Sequence, residues 1–262
     1  MHTPRKRFGQ HFLHDKEIIS RIVDVIAPGE NDHLIEIGPG EGAITFPVLE
    51  QSRALEAIEL DRDLVAVLNT RAEGLGDLQV YQGDVLEFDF ASLKKDDRPL
   101  RLFGNLPYNI STPLIFHLLD YAEIISDMTF MLQKEMADRL AAGVDSEHYG
   151  RLTVMVQYCC EAELLFDVPP ESFSPPPKVD SSIIRLVPYK KLPYPAQDEK
   201  LFSQVVKQAF SMRRKTLRNS LKGLVHDDVW EAAGIDSIRR AETLSVEDFV
   251  RLSNVLLSLK MK

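Results

Sequence analysis

The sequence predicts an α/β fold, a mostly parallel sheet with helices on both faces, followed by a small all-helical C-terminal domain. Over the first 130 residues, strand-like and helix-like segments alternate through short connections, which is typical of parallel sheets. After about residue 195 only helical patterns remain. A glycine-rich turn directly follows an early apolar strand, and ligands of such folds bind where the strands end.

The first helix is predicted over residues 15–27, because Ile18, Ile22 and Ile26 recur at helical spacing. Asp15 is a plausible N-cap, and Pro28 stops the helix. The same rules predict, in order, a strand at 33–37, a glycine turn at 38–42, a helix at 43–50, a strand at 54–59, a helix at 61–72, strands at 78–82 and 100–104, a helix at 111–121, a strand at 128–132 and a helix at 133–142.

The second half of the chain begins with a predicted helix at 151–158. Two strands at 161–168 and 181–187 flank a proline-rich stretch and suit an antiparallel hairpin at the sheet edge. Residues 189–195 have the composition of a linker. Four helices are predicted after it, at 199–210, 215–221, 227–233 and 246–257. We therefore expect two domains, 1–192 and 193–262.

Charge is unevenly distributed along the chain. The net charge is −9, but residues 190–262 carry 14 basic and 9 acidic residues, against 17 and 31 in residues 1–189. The basic C-terminal part suits contacts with phosphates, and the acidic remainder of the chain suits a cationic ligand.

Composition also limits the class of protein. No apolar run approaches the roughly 20 residues of a membrane span, and no apolar segment follows the basic N-terminus as a secretion signal requires. Cys159 and Cys160 are adjacent and have no histidine at a metal-ligand spacing. We expect a cytoplasmic protein with reduced thiols, no metal site and no membrane partner.

Three features predict a site for an adenosine-containing cofactor. Gly38 and Gly40 lie in the turn after the first of the alternating strands, where the missing Cβ lets a ligand approach the backbone. Glu59 ends the next strand and can accept hydrogen bonds from ribose hydroxyls. Asp84 follows the third strand and can accept one from an adenine amine.

The cofactor itself remains open at this point, between S-adenosylmethionine, a nicotinamide or flavin dinucleotide, and a plain structural turn with two surface carboxylates. Two details favour the sulfonium cofactor. Pro39 removes an N–H that a pyrophosphate would use. Glu36 and Glu41 make the turn acidic, which suits a cation and repels a pyrophosphate.

The segment Asn105-Leu106-Pro107-Tyr108 follows the fourth predicted strand. An adenine amine is a poor nucleophile, because its lone pair is delocalised into the ring. The Asn105 side-chain oxygen and a carbonyl of Leu106 or Pro107 can accept its two hydrogens and free the lone pair. Tyr108 can stack on a base that has left its helix. The alternative is a structural turn, in which the Asn side chain caps the following helix, Pro bends the chain and Tyr packs against the core.

Five motifs in this order resemble the ribosomal RNA adenine dimethyltransferases, and most closely their bacterial small-subunit type. They are KRFGQHFL at 6–13, EIGPG at 36–40, NLPY at 105–108, FSPPPKVDS at 173–181 and FSMRRKTLRN at 210–219. The resemblance covers nearly the whole chain and implies a Rossmann-like class I methyltransferase sheet with S-adenosylmethionine as cofactor.

The resemblance also implies residue roles. Gln10, His11 and Leu13 close over the methionine end of the cofactor, and Asn105 lies beside its methyl group. Phe173 is the second aromatic wall for the target base, opposite Tyr108. The family usually has Asn where this chain has His11. RNA contacts are expected from Arg214, Lys215, Arg218 and Lys222 in the helical domain. Three of them, Arg214, Arg218 and Lys222, recur every four residues and would share one helix face.

The implied reaction is transfer of four methyl groups to two adjacent adenines in the 3′-terminal hairpin loop of 16S rRNA, within the small ribosomal subunit or its precursor, by a monomer. Three alternatives remain: a macrolide-resistance-type enzyme acting on 23S rRNA, a non-catalytic ribosome assembly factor, and a nicotinamide oxidoreductase.

Overall fold

The computed structural model describes residues 11–212 and 214–260. Within them the strands are β1 Phe12–Leu13, β2 His33–Ile37, β3 Ala54–Glu59, β4 Asp77–Gln82, β5 Leu100–Asn105, β6 Ile125–Gln133, β7 Cys160–Val168, β8 Phe173–Ser174 and β9 Ser181–Pro188. The α-helices are α1 Lys16–Ile26, α2 Thr45–Ser52, α3 Arg62–Ala72, α4 Ser111–Leu119, α5 Lys134–Leu140, α6 Arg151–Cys159, α7 Glu199–Ala209, α8 Leu217–Ser220, α9 Asp227–Ala233 and α10 Val246–Lys260.

Seven strands form one sheet in the order β4-β3-β2-β5-β6-β9-β7. Strands β2 to β6 pair in parallel, and β9 runs antiparallel to β6. β7 and β9 are neighbours at the sheet edge, where the late strand pair was predicted. The predicted α/β class is confirmed. Because parallel strands end at the same edge, the segments after β2, β3, β4 and β5 come together there.

Helix α1 shows how local sequence fixes an element. The Asp15 side chain accepts hydrogen bonds from the backbone N–H groups of Glu17 and Ile18, at 3.0 and 3.3 Å, and so satisfies donors that the first turn leaves unpaired. The helix buries Ile18, Ile22, Val23 and Ile26. It ends at Ala27, which adopts a left-handed conformation with φ of 47°. The N-cap of α1, its apolar spacing and the place where it ends could all be predicted from the sequence.

A second, two-stranded sheet was not predicted. β1 pairs antiparallel with β8, and its register sets Phe12 opposite Ser174 and Leu13 opposite Phe173. The backbone N–H of His14 extends the contact by donating to the Ser172 carbonyl at 3.0 Å. Strands of two residues are too short to show the alternation on which a sequence prediction depends.

The chain divides into two compact units. The first contains the described residues up to Ala137 and the segment Glu161–Pro188, and the second contains Asp138–Cys160 and the chain from Tyr189 onward. Helix α6, which the predicted division at residue 192 placed in the first domain, thus groups with the C-terminal helices. Packing decides this grouping, because Tyr149, Val154 and Tyr158 are buried in the apolar cluster of the second unit. No feature of the sequence marks a boundary there.

Over residues 11–212 and 214–260, no helix is long and apolar enough to cross a membrane.

Candidate active site

A cavity opens at the edge where β2, β3, β4 and β5 end. Ten of the residues predicted for cofactor binding or catalysis line it: His11, Leu13, Gly38, Gly40, Glu59, Asp84, Asn105, Leu106, Pro107 and Tyr108. The fold brings them together from five separate stretches of sequence. Gln10 lies outside the described residues, and Phe173 does not line the cavity.

The glycine turn forms one wall. Gly38 and Gly40 have φ of 67° and 59°, a region that residues with a Cβ rarely adopt. Gly38 donates its backbone N–H to the Ile58 carbonyl at 3.0 Å, and Gly40 donates to Glu59 Oε2 at 3.1 Å. The turn is thus held against the end of β3.

Glu59 is 7% exposed, and both of its carboxylate oxygens are fixed by the backbone. Oε2 accepts from Gly40, and Oε1 accepts from the backbone N–H of Asp61 at 2.8 Å. Burial raises the pKa of Glu59, and these two hydrogen bonds act against that rise. Each oxygen keeps a second lone pair, so an oriented carboxylate faces the cavity where a ribose diol would lie.

The adenine end of the cavity combines a carboxylate with apolar surface. Asp84 Oδ1 accepts from the backbone N–H of Leu86 at 2.9 Å, which orients its side chain. Leu60 and Val85 line the same cavity and can enclose a flat purine. Neither was singled out from the sequence. Each directly follows a predicted carboxylate residue, and this position could have indicated that it lines the same cavity.

Glu36 is the least expected member of the site. It lies in the cavity wall and is only 2% exposed. In the part of the chain that the structure describes, its Oε2 has no hydrogen-bond partner, and neither has Thr45 Oγ1. Burial raises the pKa of Glu36 to about 8; the neighbouring Thr45 hydroxyl acts against the rise, and the negative charge of Glu59 adds to it. A buried carboxyl with an unsatisfied oxygen in a cavity wall suits a cationic ligand, and so the site fits S-adenosylmethionine.

Glu36 should make the stability of the ligand-free protein depend on pH. The native protein holds this proton up to about pH 8, whereas the unfolded chain releases it near 4.5. Between these values the unfolded state binds fewer protons, so stability falls as pH rises. We expect Glu36→Gln to remove this loss. Urea midpoints of the two proteins should diverge in favour of the variant from pH 5 to pH 8, and a constant difference would contradict the assignment.

Asn105 ends β5 and lies beside the N-terminal segment. Its side-chain Nδ2 donates to the His11 backbone carbonyl at 3.5 Å. The backbone N–H of Leu106 donates to the Met131 carbonyl on β6 at 3.1 Å, which fixes the start of the motif. This arrangement leaves Asn105 Oδ1 as an acceptor at the cavity.

Tyr108 is half-buried, and its hydroxyl shares a hydrogen bond of 3.0 Å with Ser181 Oγ. Burial raises the pKa of Tyr108, and the bond to Ser181 partly offsets the rise. The tyrosine therefore stays neutral and fixed at its hydroxyl end. Its ring faces the imidazole of His11, with centroids 6.2 Å apart and planes 24° from parallel.

Phe173 is not where the family resemblance implied. It is 2% exposed and packs in the apolar core, opposite Leu13 in the β1–β8 pair. Strand alternation explains this placement, since Phe173 points inward and Ser174 outward. In this structure Phe173 therefore lies outside the cavity that the other predicted residues line.

The predicted basic face also needs correction. Helix α8 covers only Leu217–Ser220, so Arg214 precedes it and Lys222 follows it. The four-residue spacing consequently does not describe one helix face. Arg214, Lys215, Arg218 and Lys222 are all exposed, and Arg218 forms an ion pair with Asp227 at 3.2 Å.

Comparison with known proteins places the chain in a family. The profile of the family described as ribosomal RNA adenine dimethylase matches residues 1–257. A protein from Saccharophagus degradans, named ribosomal RNA small subunit methyltransferase A, is 54% identical over 97% of this chain and 95% of its own.

Two solved structures are similar over nearly their whole length. A dimethyladenosine transferase from Plasmodium falciparum has a TM-score of 0.81 and 27% identity, covering 96% of this chain and 98% of its own. The 23S rRNA methyltransferase ErmE has a TM-score of 0.73 and 25% identity, covering 94% and 99%.

A parallel sheet with an acidic, glycine-bounded cavity and an Asn-Leu-Pro-Tyr segment at its edge defines a class I methyltransferase that uses S-adenosylmethionine. The chain belongs to the ribosomal RNA adenine dimethylase family. It is an rRNA adenine dimethyltransferase, and the predicted class of reaction and cofactor are confirmed.

Proposed function

We propose that this enzyme dimethylates two adjacent adenines in the 3′-terminal hairpin loop of 16S rRNA, in the small ribosomal subunit or its precursor. The name of the Saccharophagus degradans relative supports the small subunit, because that protein is 54% identical whereas the 23S rRNA methyltransferase ErmE is 25% identical. We also propose that it acts in the cytoplasm as a monomer.

The orientation of Asn105 is the observation that carries the mechanism. Its Nδ2 is engaged by the His11 carbonyl, so Oδ1 can accept a hydrogen bond from the target amine. Accepting hydrogens from an adenine amine draws its nitrogen toward tetrahedral geometry and frees the lone pair for attack. The group that receives this attack is the methyl on the cationic sulfur that S-adenosylmethionine supplies when bound.

The second acceptor is the Leu106 carbonyl. The competing carbonyl, that of Pro107, already accepts from the backbone N–H of Ile110 at 3.1 Å and from Ser111 Oγ at 3.0 Å. Two acceptors also tolerate an amine that carries one methyl, since the remaining hydrogen needs only one of them. A second transfer can therefore use the same slot.

Alignment and electrostatics do most of the catalysis in this scheme. The target base leaves its stack, at a cost of a few kcal/mol, and Tyr108 offsets part of that cost by stacking. The Glu59 carboxylate supplies negative charge beside the cationic cofactor, and a bound cation would favour ionisation of Glu36. No general base is required, because the amine proton is released to water after transfer.

RNA binding is assigned to exposed basic residues of the second unit, namely Arg214, Lys215, Arg218 and Lys222. Such contacts go mainly to phosphates, so they position the RNA without reading its sequence. Affinity for the subunit should then fall steeply with salt.

The test uses small and large subunits from cells that lack the corresponding methyltransferases. Purified enzyme and S-adenosylmethionine labelled in the methyl group should add up to four methyls per small subunit and none per large subunit. Primer extension should stop at two adjacent adenines near the 3′ end of 16S rRNA. Labelling of 23S rRNA alone would establish the macrolide-resistance type, and binding without labelling would establish an assembly factor.

A further inference from the structure

The glycine turn at 38–42 is held by side chains on two sides. Toward the cavity, Glu59 Oε2 accepts the backbone N–H of Gly40 at 3.1 Å. Away from the cavity, Arg71 Nη1 donates to the backbone carbonyl of Glu41 at 2.6 Å. Arg71 lies in the last turn of α3, is exposed and does not line the cavity. None of the five motifs in the sequence contains it.

The guanidinium of Arg71 also contacts a ring that packs on the turn. Its central carbon lies 4.3 Å from the centroid of the Phe46 ring, which is within the range of a cation–π contact. Phe46 lies near the start of α2 and is buried. A Cβ at Gly42 would lie only 2.2 Å from the Cε2 atom of this ring. The contacts therefore run from Arg71 through Phe46 to Gly42.

The composition of the turn makes such outside contacts important. Residues 38, 40 and 42 are glycines with positive φ, and a glycine loses more conformational freedom on ordering than any other residue. The peptide between Glu41 and Gly42 is fixed at both ends. Its carbonyl accepts from Arg71, and its N–H donates to the Pro39 carbonyl at 2.9 Å. A turn that is already fixed costs less to order when a ligand binds.

We propose that Arg71 is a positioning residue for the cofactor, which holds the turn at 38–42 in the shape that receives S-adenosylmethionine without itself lining the cavity. This role concerns the cofactor alone and so goes beyond the proposed rRNA target. The charge of Arg71 opposes binding, because a positive group near the cavity repels a cation. Its contribution to affinity therefore comes from geometry, and this separates the two effects in an experiment.

The test compares wild type, Arg71→Ala and Arg71→Lys by calorimetry, with S-adenosylmethionine and with S-adenosylhomocysteine, the product that lacks the positive charge on sulfur. A loosened turn must be ordered by either ligand. Arg71→Ala should therefore weaken both about five- to twentyfold, and by factors that agree within about twofold. A lysine can still donate to the Glu41 carbonyl but lacks the planar group that stacks on Phe46. Arg71→Lys should therefore bind both ligands about threefold or more tightly than Arg71→Ala.

Arg53→Ala is the matched control, since Arg53 is an exposed arginine at the end of α2 outside the cavity; it should bind both ligands as wild type does. The kcat of Arg71→Ala on small subunits, at saturating cofactor, should stay within about twofold of wild type, because the bound ligand restores the turn.

Three results would overturn the role of Arg71. The first is wild-type affinity of Arg71→Ala for both ligands, even with a lower urea midpoint, since that describes a purely structural residue. The second is a change for S-adenosylmethionine alone, which is an effect of charge. The third is an Arg71→Lys variant no tighter than Arg71→Ala. The binding measurements use no RNA, so failure of the wild-type enzyme on small subunits would overturn the proposed function and leave them standing.

Discussion

Asn105→Ala is expected to lower the rate of methyl transfer to small subunits by roughly 10³-fold while S-adenosylmethionine still binds. Removing a single preorganised hydrogen-bonding group from a reacting centre typically costs 10²–10³-fold in kcat. Here the lost oxygen is the acceptor that makes the amine nucleophilic. The protein should stay folded, because the side chain makes one 3.5 Å hydrogen bond, to His11. Single-turnover labelling of small subunits with saturating enzyme measures the chemical step.

Asn69→Ala serves as the control, because Asn69 is an exposed asparagine on α3 outside the cavity. It should leave both rate and binding unchanged. Subunit binding by Asn105→Ala, measured by co-sedimentation, should also match wild type, which separates catalysis from assembly. A variant at position 105 that transfers methyl groups at the wild-type rate would remove the basis of the mechanism.

The convergence of Glu59, Asp84 and Asn105 could be predicted from sequence because it follows from topology. Each residue ends or follows a parallel strand, and such strands finish at one edge of the sheet. Chain order and strand type were sufficient, with no knowledge of packing. The position of the glycine turn could be predicted in the same way, because Gly38 and Gly40 lie in the tight turn between a strand and the helix that follows it.

The features that could not be predicted from the sequence depend on packing between segments that are distant in the chain. Phe173 is buried because β8 pairs with β1, 160 residues earlier in the chain, in a register that two-residue strands do not reveal. The short α8 breaks the expected face of Arg214 and Lys222, although their spacing is helical. Glu36 was recognised as acidic, but only the structure shows that it is buried and that its Oε2 has no hydrogen-bond partner among the described residues.

Gly104→Ala is expected to destabilise the first unit by roughly 3 kcal/mol or more, and so to abolish activity. A Cβ at Gly104 would lie 2.2 Å from the carbonyl oxygen of Ile37, and φ there is 156°. The obstacle is the backbone of β2, which cannot rotate away as a side chain could. Relief requires β2 and β5 to separate at the end from which Gly38 and Asn105 emerge. Urea unfolding measures the loss.

Gly143→Ala is the matched control, because a Cβ there meets nothing within 4 Å and its φ is not in the positive range. It should shift the unfolding midpoint little. The comparison separates a steric requirement from the general flexibility of glycine, since both substitutions add the same methyl group. If Gly104→Ala were as stable as Gly143→Ala, β2 and β5 would not approach as closely as the structure has them.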